Sequence, residues 1–536
     1  MTHTHFPRRA AAFAAAVASL TVVAVAADTL PPSSLTTVVE GRREPGEASV
    51  SMSAMKYLPF DVPEGVTKIT IRKELDHGPD RTRTNTVDLG LFDPRGYAHG
   101  GPGIRAWQGG VRADLVIAGT VEESSPHGIP GPLPAGRWHL AQYYLKSAPA
   151  GLGYRYTIIF DFGGSAPPKS VPPPPPYRPG TLNPKPGWYA GNLHSHSIHS
   201  DGGRTLADVA RRNRAQGFDF LVSTEHNSPT AHYRFPEAAR AAPGLLLLYG
   251  SELTTPGGHA NILGQKPGHW FDFRMDPGDG RLSGVIAEAH HQGALFVVNH
   301  PYATCTSCTW TYPEAEWKAA DAIEVWNGVW TAEDRAAVDL WDRLLKRGRR
   351  VWAFGGTDYH RGEDALTPAA LVYAAGLAPE KVLDGMRRGR VVLSESPQGP
   401  RVLVAPAAKP DALPGDTTRV ASATTSLPVQ VRVTGGKGMT VRLVWSSGEA
   451  RLPPVESDDV TLAYTVPLTT ADARDYVRAE LLSSEGGMAS LSNPLFVERQ
   501  LTGVRAGGLG GAAARPRRSA QAERAPQPKA PGWRPL

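Results

Sequence analysis

The sequence predicts a multidomain protein in which a central α/β domain lies between two β-rich domains. A chain of 536 residues is too long to fold around one core. Short alternating segments separated by turn residues fill 38–164 and 401–500, which is typical of β-sandwiches. Strand-like and helix-like segments alternate across 187–400, which favours a parallel sheet or barrel. The chain is 41% apolar and 20% charged, as expected of a folded protein.

Residues 1–27 have the pattern of an export signal. Arg8 and Arg9 precede an alanine-rich apolar run, which ends in the small-x-small pattern of a cleavage site near Ala26 or Ala27. The run is about 17 residues long and a membrane span needs roughly 20, so a cleaved signal is favoured over a membrane anchor. The arginine pair leaves a twin-arginine route open. We therefore expect an exported protein, periplasmic or extracellular, with no transmembrane segment after signal removal.

The segment 38–164 is predicted to form a β-sandwich or jelly-roll-like domain. Its alternating segments resemble the β-modules that accompany secreted hydrolases. It carries no catalytic constellation, and its isolated histidines, His77, His99 and His127, are expected to be exposed. A proline-rich linker over 165–186 follows, with five consecutive prolines that make it stiff and extended.

The segment 501–536 is predicted to be a disordered basic tail. Its seven Arg and Lys face one Glu, which accounts for the net charge of +6 of the whole chain. Its Gly, Ala, Pro and Arg cannot bury a core. A solvated end is the favoured interpretation, and contact with an anionic envelope polymer is the alternative. The sequence gives no basis for a nucleic-acid partner.

The segment 187–400 concentrates residues that can bind metal. Eleven of the seventeen histidines lie between His194 and His360, mostly beside acidic residues. Several of these motifs follow predicted strands, and in α/β folds the working residues gather at the carboxyl ends of strands. The motifs are His194-Ser-His196 with Ser200-Asp201-Gly202, Thr224-Glu225-His226-Asn227, Gly250-Ser-Glu252, Gly258-His259, Asn299-His300-Pro301 and Asp358-Tyr-His360.

The spacing within these motifs suits metal chelation. Side chains alternate along a strand, so His194 and His196 project from one face and can hold one ion. Asp201 can turn toward a second ion, and Glu252 is a candidate bridging carboxylate. Imidazole and carboxylate together are ligands for zinc, iron or manganese. One such motif is weak, but the whole set predicts a polynuclear metal site and therefore a hydrolase.

Cys305 and Cys308 are the only cysteines. Two thiols cannot form a four-cysteine zinc site, and in an exported protein a local disulfide is the simplest interpretation. Direct metal ligation and a redox centre are the alternatives.

The order of these motifs resembles the PHP superfamily (polymerase and histidinol phosphatase) of metallohydrolases over 187–400. The flanking β-modules and the export signal resemble its CehA/McbA-type branch, named for carbamate and aryl ester hydrolysis. The resemblance implies a distorted (β/α)7 barrel that holds two or three divalent ions, Zn, Mn or Fe.

The resemblance also implies which residues hold each ion. Three further residues, Glu225, Asn227 and His199, are expected to orient the ligands. The implied ligands are His194, His196, Glu252 and Asp358 for the first ion; Asp201, His226 and His360 for the second; and Glu252 and His300, with His259, for the third.

The chemistry expected of such a site is hydrolysis by a metal-bound hydroxide, here held by Glu252, Asp358 and His226. No serine or cysteine nucleophile is required. The sequence does not identify a leaving-group acid. The alternatives are His199, His232, Tyr302 and Tyr359, for each of which a packing role is the better interpretation.

The substrate is expected to be a small phosphoester or an aryl ester or carbamate. A phosphoesterase pocket should be rimmed by Arg or Lys, whereas Trp310, Tyr312 and the segment 326–330 favour an aryl group. The alternative function is a non-catalytic, metal-stabilised protein that binds envelope glycan, which would predict missing ligands. A polymerase-associated domain conflicts with the export signal.

Overall fold

The computed structural model of the chain describes most of the residues between 33 and 500. Within this part, no helix is long and apolar enough to cross a membrane. The predicted signal 1–27, the basic tail 501–536 and His77 lie outside the described residues. The described stretches are 33–45, 51–76, 86–110, 114–146, 151–305, 307–469 and 474–500.

The N-terminal part is a sandwich of two antiparallel four-stranded sheets, ordered β1-β8-β3-β6 and β2-β7-β4-β5. Side chains alternate between core and solvent along these strands. In β3, for example, Ile69 and Ile71 are buried and Arg72 is exposed. The strands are β1 Ser34–Arg43, β2 Lys56–Val62, β3 Lys68–Asp76, β4 Thr86–Phe92, β5 Ile104–Gln108, β6 Asp114–Ala118, β7 Gly136–Lys146 and β8 Leu152–Asp161.

The outer face of the second sheet is not solvated. Its Phe92, Trp107 and Tyr143 belong to the same buried cluster as the core of the central part, and the Trp107 and Phe273 rings lie 4.4 Å apart. The expectation that His127 is exposed was wrong. Its side chain is buried against the central part, with Nε2 2.8 Å from the carbonyl oxygen of Ser200. The two parts therefore share a core.

The central part is one mixed sheet, ordered β15-β14-β13-β12-β11-β10-β9-β16-β17. Its helices begin at residues suited to capping: Thr205 accepts a hydrogen bond from Asp208 N, and Thr331 forms a capping box with Asp334. The strands are β9 Gly187–Asn192, β10 Phe220–Ser223, β11 Leu246–Thr255, β12 Gly258–Leu263, β13 Leu295–Val298, β14 Ala322–Asn327, β15 Trp352–Gly356, β16 Ala369–Ala374 and β17 Val391–Ser394. The helices are α1 Leu206–Ala215, α2 Phe235–Ala241, α3 Arg281–His291, α4 Ala332–Lys346 and α5 Pro379–Arg387.

The described residues therefore show a mixed α/β fold with much sheet and few helices. Five helices serve nine strands, which fits poorly with the regular alternation of a (β/α)7 barrel. The reason is local. β11 and β12 are antiparallel and joined through Pro256 and Gly257, a turn too short for a crossover helix. β16 and β17 are likewise antiparallel neighbours.

The carboxyl ends of β9 and β15, which are not neighbours in this sheet order, nevertheless approach each other. Asp358 N donates to His194 O at 2.9 Å, and His196 N donates to Tyr359 O at 2.9 Å. These bonds bring the first and last metal-binding motifs of the sequence together.

The C-terminal part is a second two-layered β structure around its own core. One layer is β18-β20-β23, and the other continues the central sheet, because β17 pairs with β25. Asn493 strengthens this junction by accepting from Ala353 N and donating to the carbonyl oxygens of Ala353 and Val391. The domain boundaries stay predictions. The strands are β18 Arg401–Pro406, β19 Thr417–Ala421, β20 Ser426–Thr434, β21 Thr440–Trp445, β22 Gly448–Arg451, β23 Asp459–Pro467, β24 Arg474–Leu482, β25 Met488–Ser492 and β26 Leu495–Gln500.

Substitution of Arg274 tests how much its contacts stabilise the attachment of the N-terminal sandwich to the central part. Its buried guanidinium pairs with Asp272 and donates to the hydroxyl of Tyr57 and the carbonyl oxygen of Tyr97. Arg274→Ala leaves the buried Asp272 carboxylate unpaired, so the free energy of unfolding should fall by about 3–5 kcal/mol in chemical denaturation. Arg137→Ala, which removes an exposed pair with Asp61, is the matched control and should change stability little. Equal effects would contradict this account.

Candidate metal centre

The carboxyl ends of the central strands carry the site. His194 and His196 follow β9, His226 follows β10, and His300 follows β13, while Glu252 lies within β11. His226 and Glu252 form a parallel bridge, so the ends of β10 and β11 are held in register. Neighbouring strand ends thus bring together motifs that are far apart in the sequence.

The backbone is strained at this edge. Asp358, His300 and Asn227 have φ values of 48°, 22° and 52°, a region that non-glycine residues rarely adopt. Such strain persists only where surrounding contacts enforce it, and it concentrates at functional sites.

Glu252 is the centre of the cluster. Its carboxylate is fully buried and has five imidazoles around it. The distances from its oxygens are 3.3 Å to His194 Nε2, 3.4 Å to His196 Nε2, 2.8 Å to His226 Nδ1, 3.2 Å to His259 Nδ1 and 3.5 Å to His300 Nε2.

Asp358 and Asp201 extend the cluster on one side of Glu252. Asp358 Oδ1 lies 3.0 Å from His196 Nε2 and 3.3 Å from His194 Nε2. Asp201 Oδ1 lies 3.1 Å from His360 Nε2 and 3.6 Å from His226 Nε2. The structure therefore gathers all nine residues for which a ligand role was predicted; the roles themselves stay predictions.

The spacing of these atoms fits bound cations. Ligands about 2.1 Å from an ion stand about 3.0–3.4 Å from each other in octahedral or tetrahedral geometry, close to the separations found here. His194 Nε2, Asp201 Oδ1 and Glu252 Oε2 are buried without a hydrogen-bond partner in the described chain. Four sets of potential ligand atoms lie within 4.8 Å of one another: His196, Asp201, His226 and His360; His194, His196 and Asp358; His226, Glu252 and His259; His194, His300 and Glu324.

The electrostatics of the cluster also favour cations. Burial opposes ionisation of Glu252 and Asp358, but the neighbouring histidines hold the pKa of each well below its usual range. Burial would lower the pKa of His226, yet Glu252 and Asp201 raise it to about 10. Burial and the adjacent His360 and His226 lower the pKa of His196 to about 3. The carboxylates are thus ionised, and His196 offers a free lone pair.

Two of the three residues expected to orient ligands, Glu225 and Asn227, contact the segments that carry candidate ligands. Glu225 is buried and accepts from Ser197 Oγ at 2.5 Å and Ser200 Oγ at 2.6 Å, which fixes the turn that carries Asp201. Asn227 bonds the backbone of Thr254, and Thr254 Oγ1 lies 2.5 Å from His226 Nδ1.

His199 faces away from the cluster. Its Nδ1 lies 2.7 Å from the carbonyl oxygen of Pro126 and 3.1 Å from Thr230 Oγ1. It contributes to the contact with the N-terminal sandwich, and burial lowers its pKa to about 3. Among the described residues, its ring forms no hydrogen bond to a candidate ligand.

Glu324 was missed by sequence reasoning. Its Oε1 lies 3.0 Å from His194 Nδ1, and its Oε2 accepts from His300 N at 3.2 Å and Asn327 Nδ2 at 3.0 Å. With both oxygens engaged, Glu324 is better suited to orienting His194 than to holding an ion itself. The available signal was a lone carboxylate inside the apolar strand β14.

A cavity of about 290 Å³ opens onto the cluster. Its opposite wall comes from the N-terminal sandwich, which no sequence argument anticipated. Trp310 and Tyr312, the aromatic residues favoured from the sequence, do not line it, and among the described residues neither does any Arg or Lys. The lining includes Asp201, His226, His259, His300, Asp358 and His360 on one side and Met52, Asp88, Trp107, Tyr143 and Leu145 on the other.

The cysteine loop forms part of the rim of this cavity. Cys305 and Cys308 are joined in a disulfide, and both line the cavity together with Ser307. The pair therefore shapes the entrance near His300 without standing among the sets of potential metal ligands.

In comparisons with known proteins, this chain is similar to solved structures only. No family model matches the chain, and no curated protein matches it. A two-domain protein from Bacteroides vulgatus, containing a predicted PHP-like metal-dependent phosphoesterase, is 16% identical, with 60% of this chain and 100% of that chain covered and a TM-score of 0.35.

Two further solved structures are similar over a smaller share of the chain. A putative metal-dependent phosphoesterase from Bifidobacterium adolescentis is 14% identical, with 38% of this chain and 96% of that chain covered and a TM-score of 0.25. An amidohydrolase from Chromobacterium violaceum is 17% identical, with 33% and 90% covered and a TM-score of 0.25. At these identities and TM-scores no family assignment follows.

Glu324→Gln tests the orienting role of this carboxylate. Loss of its charge makes the His194 imidazole a weaker and less fixed donor, so affinity for Zn²⁺ or Mn²⁺ should fall about 10–100-fold, measured by competition with a chromogenic chelator. Glu288→Gln, at an exposed carboxylate paired with His269, is the control and should leave the affinity unchanged. An unchanged affinity in Glu324→Gln would remove Glu324 from the site.

Proposed function

We propose that the chain is an exported, metal-dependent hydrolase of the PHP type that cleaves a small aryl ester or carbamate. The observation that carries the proposal is the cavity itself: a cluster of histidines and carboxylates lies at one end, and an apolar, aromatic wall lies at the other. The PHP relation, with its (β/α)7 topology, the CehA/McbA-type branch and export are supported by the motif order, the flanking β-rich segments and the N-terminal signal pattern.

The ligand assignment proposed for the ions is the one that the motif resemblance implies, and the distances among these side chains are compatible with it. His194, His196, Glu252 and Asp358 would hold one divalent ion, and Asp201, His226 and His360 a second. Glu252, His259 and His300 are close enough for a third. Zinc, manganese and iron suit this mixture of nitrogen and oxygen ligands.

Divalent ions bound there would supply a water of lowered pKa as the nucleophile and would polarise the scissile bond. The chain's own residues prepare the site for this. The ionised Glu252 and Asp358 neutralise the cationic charge, and the Glu324 carboxylate fixes the ring of His194. The strand ends hold these groups in place before a substrate arrives, so little reorganisation is needed during reaction.

The opposite wall indicates the substrate class. Trp107 and Leu145 offer apolar surface on which an aromatic leaving group can pack. A phosphate monoester would bring about two negative charges at neutral pH, and beyond the proposed divalent ions no Arg or Lys of the described lining would meet them. This favours a neutral aryl ester or carbamate over a phosphoester, which is the second substrate class.

The test combines metal analysis with a comparison of hydrolysis rates on different substrates. Purified protein should contain two or three divalent ions and should hydrolyse 1-naphthyl acetate or a 1-naphthyl carbamate faster than p-nitrophenyl phosphate or a phosphodiester analogue. His194→Ala and Asp358→Ala should each lose bound metal and lower kcat/KM by more than about 100-fold, because both remove ligands rather than their supports.

His291→Ala is the matched control, since His291 is exposed at the end of α3 and should leave both readouts unchanged. Absence of metal from protein prepared with zinc and manganese present would overturn the proposal. Bound metal with a preference for phosphoesters would instead correct the substrate class.

A further inference from the structure

The wall of the cavity opposite the metal centre is a regular sheet surface. In the N-terminal sandwich, Asp88 of β4 pairs directly with Tyr143 of β7, and Gly90 pairs with Trp107 of β5. Side chains that are directly opposite, or two residues apart on one strand, share a face of a sheet. Asp88, Tyr143 and Trp107 therefore project together, and all three line the cavity.

One carboxylate oxygen of Asp88 accepts a hydrogen bond, and the other accepts none from the described residues. Its Oδ1 accepts the Gly110 N–H at 2.6 Å, whereas Oδ2 makes no hydrogen bond to any residue in the described stretches. Lys73 Nζ links β4 to the segment that follows β5 by donating to the carbonyl oxygens of Val87 and Gly110, each at 3.0 Å. The carboxyl group is thus positioned, with one oxygen available to a ligand.

The close approach of Gly110 needs a glycine. A Cβ at this position would lie 2.2 Å from Thr86 Cγ2 and 3.0 Å from Val87 N, well inside ordinary contact distance. The backbone amide that fixes Asp88 is therefore available only because residue 110 has no side chain.

Asp88 retains its proton to an unusually high pH for a carboxyl group. Burial raises its pKa to about 6, against the lowering effect of the Gly110 amide and of the charges on Lys73 and His226, while Asp201 raises it further. A group of this pKa can give up a proton and regain it near neutral pH. The influence of His226 and Asp201 shows that Asp88 lies within electrostatic reach of the metal centre.

Tyr143 packs beside Asp88 on the same wall. Its hydroxyl is buried without a hydrogen-bond partner in the described chain, and burial holds its pKa above the ordinary value, so it stays protonated. The neighbouring ring therefore shields one side of the Asp88 carboxyl group from solvent.

The four residues considered from the sequence as leaving-group acids do not line the cavity. His199, His232, Tyr302 and Tyr359 are absent from the described lining of the cavity. His232 is bonded to the carbonyl oxygen of Gly250, and burial lowers its pKa to about 4. The cavity, at about 290 Å³, is at the small end of ligand sites. A substrate bound at the metal centre of so small a cavity is therefore expected to lie close to the Asp88 wall.

We propose that Asp88, supplied by the N-terminal sandwich, is the general acid that protonates the leaving-group oxygen. This inference rests on the proposed hydrolase function. Water adds to the acyl carbon, and the bond from that carbon to the leaving oxygen breaks. The oxygen keeps the electron pair, takes the Asp88 proton and departs as a phenol or alcohol. The proton released by the attacking water restores Asp88 through solvent.

The dependence on leaving group tests the proposal. Asp88→Asn keeps an acceptor for Gly110 but cannot supply the proton. For phenyl acetate its kcat/KM should fall by about 100-fold or more. For p-nitrophenyl acetate, whose leaving group departs readily as an anion, the fall should be less than about 10-fold. In the parent protein the rate for phenyl acetate should decline as pH rises through the pKa of Asp88, and this decline should disappear in Asp88→Asn.

Asp61→Asn, in the same sheet but exposed and paired with Arg137, is the matched control and should behave like the parent. Metal content, measured on every variant, should not change. Equal losses on both acetates in Asp88→Asn, with metal retained, would overturn the proton-donor role and leave the hydrolase intact.

A readout that needs no turnover separates the two proposals. Infrared difference titration of the metal-loaded protein should show a protonated carboxyl band at mildly acidic pH that is missing from Asp88→Asn. If the parent hydrolyses none of the esters, the hydrolase proposal fails. If the band is missing from the parent at mildly acidic pH, Asp88 carries no proton to donate and this inference fails on its own.

Discussion

The buried carboxylate of Glu252 is the constraint around which the central part is arranged. An isolated buried anion costs several kcal/mol, so compensating partners must surround it. Five imidazoles from four segments do so, and against the lowering effect of burial the nearby carboxylates raise the pKa values of three of them, His194, His226 and His300. The backbone of the same residue ties neighbouring strand ends together, because Glu252 N donates to Glu225 O and Asn227 N donates to Glu252 O. Charge compensation and strand register are therefore enforced at one point.

This concentration of charge explains why strained backbone is tolerated nearby. Asp358 and His300 both have positive φ, and each is held by contacts that a relaxed conformation would lose. Asp358 reaches His194 and His196, and His300 donates its amide to Glu324. The favourable electrostatics offset the local cost of the left-handed conformation.

The sequence was informative where function depends on local order. The motifs predicted the gathering of metal-binding residues, because strand ends in α/β folds meet at one edge. Glu324 was not found, because a lone carboxylate in an apolar strand is a weak signal and its role depends on contact with the distant His194.

Longer-range features of the fold escaped prediction for a similar reason. The short turn after β11 leads into β12, an antiparallel strand that the alternation of segments did not predict. Burial of His127, and the projection of Asp88 beside Tyr143, depend on the pairing of strands that are far apart in the sequence. Residue patterns report which side of a strand is apolar, but not what will cover it.

The shared core between the sandwich and the central sheet has a consequence for how such proteins change over time. The candidate metal ligands lie in one structural unit, whereas the proposed proton donor Asp88 lies in another. Mutations in β4, β5 or β7 can therefore redirect substrate choice while the ligands remain untouched. Shuffling of the sandwich between related chains would be constrained by its interlocking with Phe273 and Arg274, so the two units are expected to be inherited as a pair.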